Sequence, residues 1–97
     1  MELSLVEQLA HVGSEVERAL SWQGKGNLLY RDRAFERALE LLTMTIGDVK
    51  NRQRLKELTR VREALNDYFG FDNQYRSTPE LWRKYFHAFN WAARAHR

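Results

Sequence analysis

Cysteine is absent from this chain. Neither a disulfide framework nor a thiolate metal site can therefore form, and the reducing cytoplasm is the expected compartment. Proline occurs once, at Pro79, and the five glycines are too scattered to form a linker or a phosphate-cradling loop. No apolar run approaches the roughly 18 residues of a membrane span. The amino-terminal stretch MELSLVEQLAHVGSEVE is acidic where a secretory signal is basic. These absences exclude a stapled secreted domain and a membrane-spanning segment. What remains is 97 residues, expected to form a single domain over 1–97, with a modest core and a size at which packing against a second copy becomes attractive.

The hydrophobic period is helical throughout. Leu5, Leu9, Val12, Val16 and Leu20 form one stripe, and Leu28, Phe35, Leu39, Leu42 and Ile46 a second. Leu55, Leu58, Val61, Leu65 and Tyr68 repeat the pattern after the polar turn Gly47-Asp48; Leu81, Tyr85, Phe89 and Ala92 do so after the loop GFDNQYRS. Ser77 or Thr78 can cap the last helix, with Pro79 in its first turn and Glu80 at the positive end of its dipole. No segment alternates with period two over the length of a strand. The fold class is all-α, an antiparallel up-down four-helix bundle in which QGKGN is either a turn or a kink.

Charge is polarised along the chain. Residues 1–48 hold five basic and eight acidic side chains, residues 49–75 six and four, and residues 76–97 five and one. Such asymmetry points to a polyanion or an acidic protein surface as partner. Its densest basic stretch is KNRQRLKELTRVRE, with Lys50, Arg52, Arg54, Lys56, Arg60 and Arg62 as candidate nucleic-acid-binding residues. Arg52, Lys56 and Arg60 fall at i, i+4 and i+8, one helix face, with Arg54 and Arg62 flanking it. Clustered cations of this kind suffice for phosphate-backbone binding and carry no base readout. Glu57, Glu63 and Asp67 lie on the same segment and offset part of its charge.

The segment LWRKYFHAFNWAARAHR spreads aromatics over several bearings. One core is not expected to take them all, so Trp82, Phe86, Phe89 and Trp91 are the expected interface to a second subunit or a protein partner. Catalysis finds no support. His11, His87 and His96 are isolated, no pair has metal-ligand spacing, and Glu63 and Asp67, one turn apart, have no histidine nearby in sequence. Arg83 precedes His87 with only three residues between, short of the spacing in helical ribonuclease toxins. No catalytic residue, metal, cofactor or small-molecule substrate is expected.

Two resemblances follow from these residues. Trp22, Gly26-Asn27, Tyr30, Phe35, Ala38 and Leu42 occupy positions similar to those of a single tetratricopeptide helical hairpin over residues 21–46, departing at Thr45 and Lys50 and not repeated elsewhere. It implies a peptide- or protein-binding hairpin in which Gly26 permits close helix approach. In helix number, size, basic charge and lack of cysteine, the whole chain resembles the four-helix accessory proteins of diversity-generating retroelements. That resemblance implies a homo-oligomeric scaffold that holds a reverse transcriptase and its nucleic acid. The expected function is thus a non-enzymatic oligomeric accessory protein that binds nucleic acid, RNA or DNA, or a nucleic-acid enzyme. The tetratricopeptide-like module is the alternative.

Overall fold

The computed structural model describes residues 3–95. Its elements are α1 (Leu5–Gly24), α2 (Leu28–Gly47), a 3₁₀ helix (Val49–Arg54), α3 (Leu55–Gly70) and α4 (Pro79–Ala95), with no strand among the described residues. The helices form an antiparallel up-down bundle. Glu15 meets Arg37 and Trp22 meets Tyr30 between α1 and α2. Gly13 meets Phe86 and Glu17 meets Arg83 between α1 and α4. In both pairs one helix is read upward while its neighbour is read downward. α1 packs on α2 and α4, and α2 on α1 and α3. α3 reaches α4 through long side chains: the rings of Tyr68 and Trp82 lie 6.4 Å apart, and Tyr85 Oη donates to Glu57 Oε2 at 3.1 Å.

Local chemistry sets the helix ends. Ser4 and Glu7 form a capping box that satisfies two orphan amides at the start of α1. Gly26 adopts a left-handed φ of 76°, and Asn27 then accepts the Tyr30 amide as the cap of α2. QGKGN is therefore a turn and not a kink. A Cβ on Gly26 would meet nothing within 4 Å, which corrects the expectation that it permits close helix approach; its role is the backbone angle. Thr78 Oγ1 accepts the Leu81 amide, so Thr78, rather than Ser77, caps α4.

The core combines Leu9, Val12, Val16, Ala19 and Leu20 of α1 with small residues of α2, Ala34 and Ala38, and with Leu42, Leu58, Leu65 and Phe86. On α2 the buried row is Ala34, Ala38, Leu42 and Thr45, whereas Leu28 is exposed. The sequence stripe of large residues was therefore rotated from the true one. Alanines let α2 sit close to its neighbours, while Phe35, Leu39 and Ile46 are half-buried beside them. Thr45 enters the core because its hydroxyl donates to the Leu41 carbonyl at 2.8 Å.

A similar rotation affects α4. Trp82 and Phe86 are buried in the chain's own core, and Tyr85 and Phe89 pack against it, while Leu81 is 56% exposed. The expectation that one core cannot accommodate these rings is corrected for Trp82 and Phe86, which are buried in it, while Phe89 is half-buried at its edge. The space for Phe86 comes from Gly13, where an added Cβ would lie 2.7 Å from Phe86 Cβ. Trp91, at 67% exposure, is the remaining member of the expected interface that stands open.

Candidate nucleic-acid interface

The basic segment begins in the 3₁₀ helix and continues into α3, and a buried polar network fixes their junction. Asn51, buried, donates to the Thr45 carbonyl at 2.9 Å and to Gln8 Oε1 at 2.8 Å. Gln8 in turn donates to Asp48 Oδ2, and Asp48 Oδ1 accepts the Lys50 amide as the cap of the 3₁₀ helix. α1 therefore holds the strand of backbone that presents Arg52. The Asp48 carboxyl is held below the usual carboxylate range, first by its hydrogen bonds from Lys50 and then by the one from Gln8.

The six candidate cations divide into three groups. Lys50 Nζ lies 2.6 Å from Asp48, and Arg54 lies 2.8 Å from Glu57, so both are engaged locally. Arg52, Lys56 and Arg60 are exposed, line one open groove with Gln53, Leu55 and Thr59, and form no ion pair among the described residues. Arg62 is exposed on α3 but does not line that groove. Arg52 belongs to the 3₁₀ helix rather than to α3, which corrects the single-helix reading of the ridge. The tighter turn still delivers it to the same groove as Lys56 and Arg60. Along α3, Lys56 and Arg60 stand about 6 Å apart, four residues at about 1.5 Å rise each.

The acidic residues of the segment are mostly engaged with other partners than the groove cations. Glu57 accepts from Arg54 and from Tyr85. Burial first, and then the Glu57 charge, push the Tyr85 phenol well above its ordinary value. Asp67 accepts the Gln74 and Tyr75 amides at 2.9 and 3.0 Å, ordering the loop into α4. Glu63 is the carboxylate that lines the groove, at one end. The groove is therefore lined by three cations and one carboxylate, with the Arg54–Glu57 pair beside Lys56 and Arg60 in an adjoining concavity.

The other candidates separate in space. Trp22 and Tyr30 meet edge to face at 4.9 Å, and Phe35 packs on Phe69 at 5.1 Å, so the tetratricopeptide-like aromatics serve two different contacts. His11 and His87 are exposed on α1 and α4; His96 and Arg97 lie outside the described residues. Among the described residues no group of three His, Cys, Asp or Glu side chains is arranged to hold a metal ion. No described helix is long and apolar enough to cross a membrane. Sequence reading missed the positioning set Gln8, Asp48 and Asn51; a buried asparagine among exposed cations leaves no periodic signal. No protein-family model, curated protein or solved structure matches the chain.

Proposed function

We propose that the chain is a non-enzymatic accessory module of the cytoplasm that binds the phosphate backbone of nucleic acid through the groove of Arg52, Lys56 and Arg60. One observation carries the reading: three cations share a groove held in place by a buried asparagine, and none is neutralised by an ion pair among the described residues. Phosphate recognition needs clustered, accessible cations and little else, and its strength comes from released counterions. Self-association into a scaffold, with Trp91 as the exposed aromatic of the contact, belongs to the same proposal. So does a reverse transcriptase as the enzyme served, in line with the resemblance to retroelement accessory proteins.

The test is a salt titration of labelled RNA and DNA from about 50 to 200 mM. Replacing Arg52, Lys56 and Arg60 together by glutamine is expected to flatten the log–log slope by two to three units, at about −0.9 per contact on duplex and −0.7 on single strands. Helix content is expected to stay unchanged, because glutamine is close to arginine as a helix former. A parent chain that binds neither nucleic acid at about 50 mM salt removes the reading, and a protein partner then becomes the better account.

A further inference from the structure

Beyond Arg60 the outer surface of α3 changes character. Where α3 runs into the loop towards α4, Phe71 is 72% exposed and Tyr75 59% exposed. Both line one open concavity of about 390 Å³, together with Glu63, Asn66, Asp67 and Asp72. Two large rings left in water on the same loop are costly unless something covers them.

The loop that carries the rings is also firmly held. Asp67 accepts both the Gln74 and Tyr75 amides, and Asn73 and Ser77 exchange two hydrogen bonds at 2.8 and 2.9 Å. The rings therefore stand on a preorganised loop, which lowers the entropy lost on binding. Glu63 and Asp72 have no ion pair among the described residues, and Asp67 accepts two loop amides. The concavity carries three carboxylates and no basic side chain.

Phosphate is repelled by this chemistry, whereas a guanidinium or ammonium is attracted twice, by the carboxylates and by the faces of the rings. We infer that the Phe71–Tyr75 concavity docks an arginine- or lysine-bearing segment of a protein partner. The inference does not rest on the nucleic-acid reading: the concavity lies beyond the groove along α3 and carries the opposite charge, with Glu63 the one residue that lines both. Taken together, the two ends make α3 a bridge, with an anionic polymer on one side and a basic protein segment on the other.

The probe is a labelled octa-arginine peptide, titrated by fluorescence anisotropy at about 50 mM salt in the absence of nucleic acid. The net charge of +3 opposes non-specific capture of such a peptide. Phe71→Ala with Tyr75→Ala is expected to weaken binding about tenfold, from two cation–π contacts of about 0.5–1 kcal/mol each. Glu63→Gln with Asp72→Asn is expected to weaken it and flatten its salt dependence. The glutamine triple variant at Arg52, Lys56 and Arg60 is expected to bind the peptide at least as well as the parent. Circular dichroism on each variant checks that the helices persist. Undetectable peptide binding by the parent at millimolar concentration overturns the inference, as does unchanged binding by either pair of variants. If the aromatic pair instead loses RNA or DNA binding, the concavity takes nucleobases and the inference fails while the phosphate groove stands.

Discussion

Gly13 and Phe86 are in contact so close that a β-carbon on the glycine would stand 2.7 Å from the Cβ of the phenylalanine and 2.9 Å from its Cγ. Gly13→Ala therefore forces α1 and α4 apart. Overpacking costs about 1–3 kcal/mol, and about 1 kcal/mol is returned by better helix propensity; because the clash falls on the Cβ of Phe86 rather than on a flexible side-chain end, the upper part of the range applies, and a net loss of about 2 kcal/mol is expected. Thermal melts followed by circular dichroism measure it, and an unchanged midpoint would show that α4 yields freely.

Gly26 gives a contrasting case. Its left-handed φ strains any residue with a β-carbon, yet the space around it is open. Gly26→Ala is expected to cost about 1 kcal/mol and Gly26→Asn less, since asparagine tolerates this region better. Equal losses for alanine and asparagine would point to a steric cause instead.

Tyr85 links pH to stability. Its phenol is held protonated by burial and by the charge of Glu57, so the folded state keeps a proton that the unfolded chain loses above about pH 10. Its contribution is fully present at neutral pH and declines as pH rises past that point. Tyr85→Phe is expected to cost about 1–2 kcal/mol at pH 7 through the lost hydrogen bond. It is also expected to make the stability profile flatter between pH 9 and 11 than that of the parent. Parallel profiles for the two proteins would dismiss the coupling.

The cations of the 3₁₀ helix and α3 should not be equivalent in binding. Lys50→Gln and Arg54→Gln remove side chains already paired with Asp48 and Glu57. Each is expected to change the salt slope of nucleic-acid binding by less than about 0.5 unit, against about 0.7–0.9 for each groove cation. Six equal effects would mean that local ion pairs open freely on binding.

Asn51 reports on the positioning network. Asn51→Ala leaves the Thr45 carbonyl and Gln8 without their partner, at an expected cost of about 1–3 kcal/mol. It is also expected to weaken nucleic-acid binding at temperatures where the variant is still folded, because Arg52 is next in the chain. Lost stability with intact affinity would separate the network from the groove.

The four helices were legible because Leu9, Val12, Val16 and Leu20, and then Leu58, Val61 and Leu65, repeat at helical spacing and are buried. The start of α4 was legible from Thr78 and Pro79, whose chemistry is local. The buried rows of α2 and α4 were not, since Ala34 and Ala38 weigh little in a hydrophobic pattern and the burial of Phe86 uses the room at Gly13, 73 positions away in the sequence. The cations were visible as a cluster, but their pairing was not: Lys50 and Arg54 look like Lys56 and Arg60 until Asp48 and Glu57 are placed beside them.

Because α1 packs on both α2 and α4, its surface is covered in two instalments during synthesis. The hairpin of α1 and α2 is complete once Gly47 is made, but the face bearing Gly13, Val16 and Leu20 waits for Trp82 and Phe86. At about 5–20 residues per second, the interval from Gly47 to Phe86 is roughly 2–8 s. α1, which emerges before the three helices it is built with, is thus among the last to be sheltered, and chaperones have a defined apolar face to meet in the meantime.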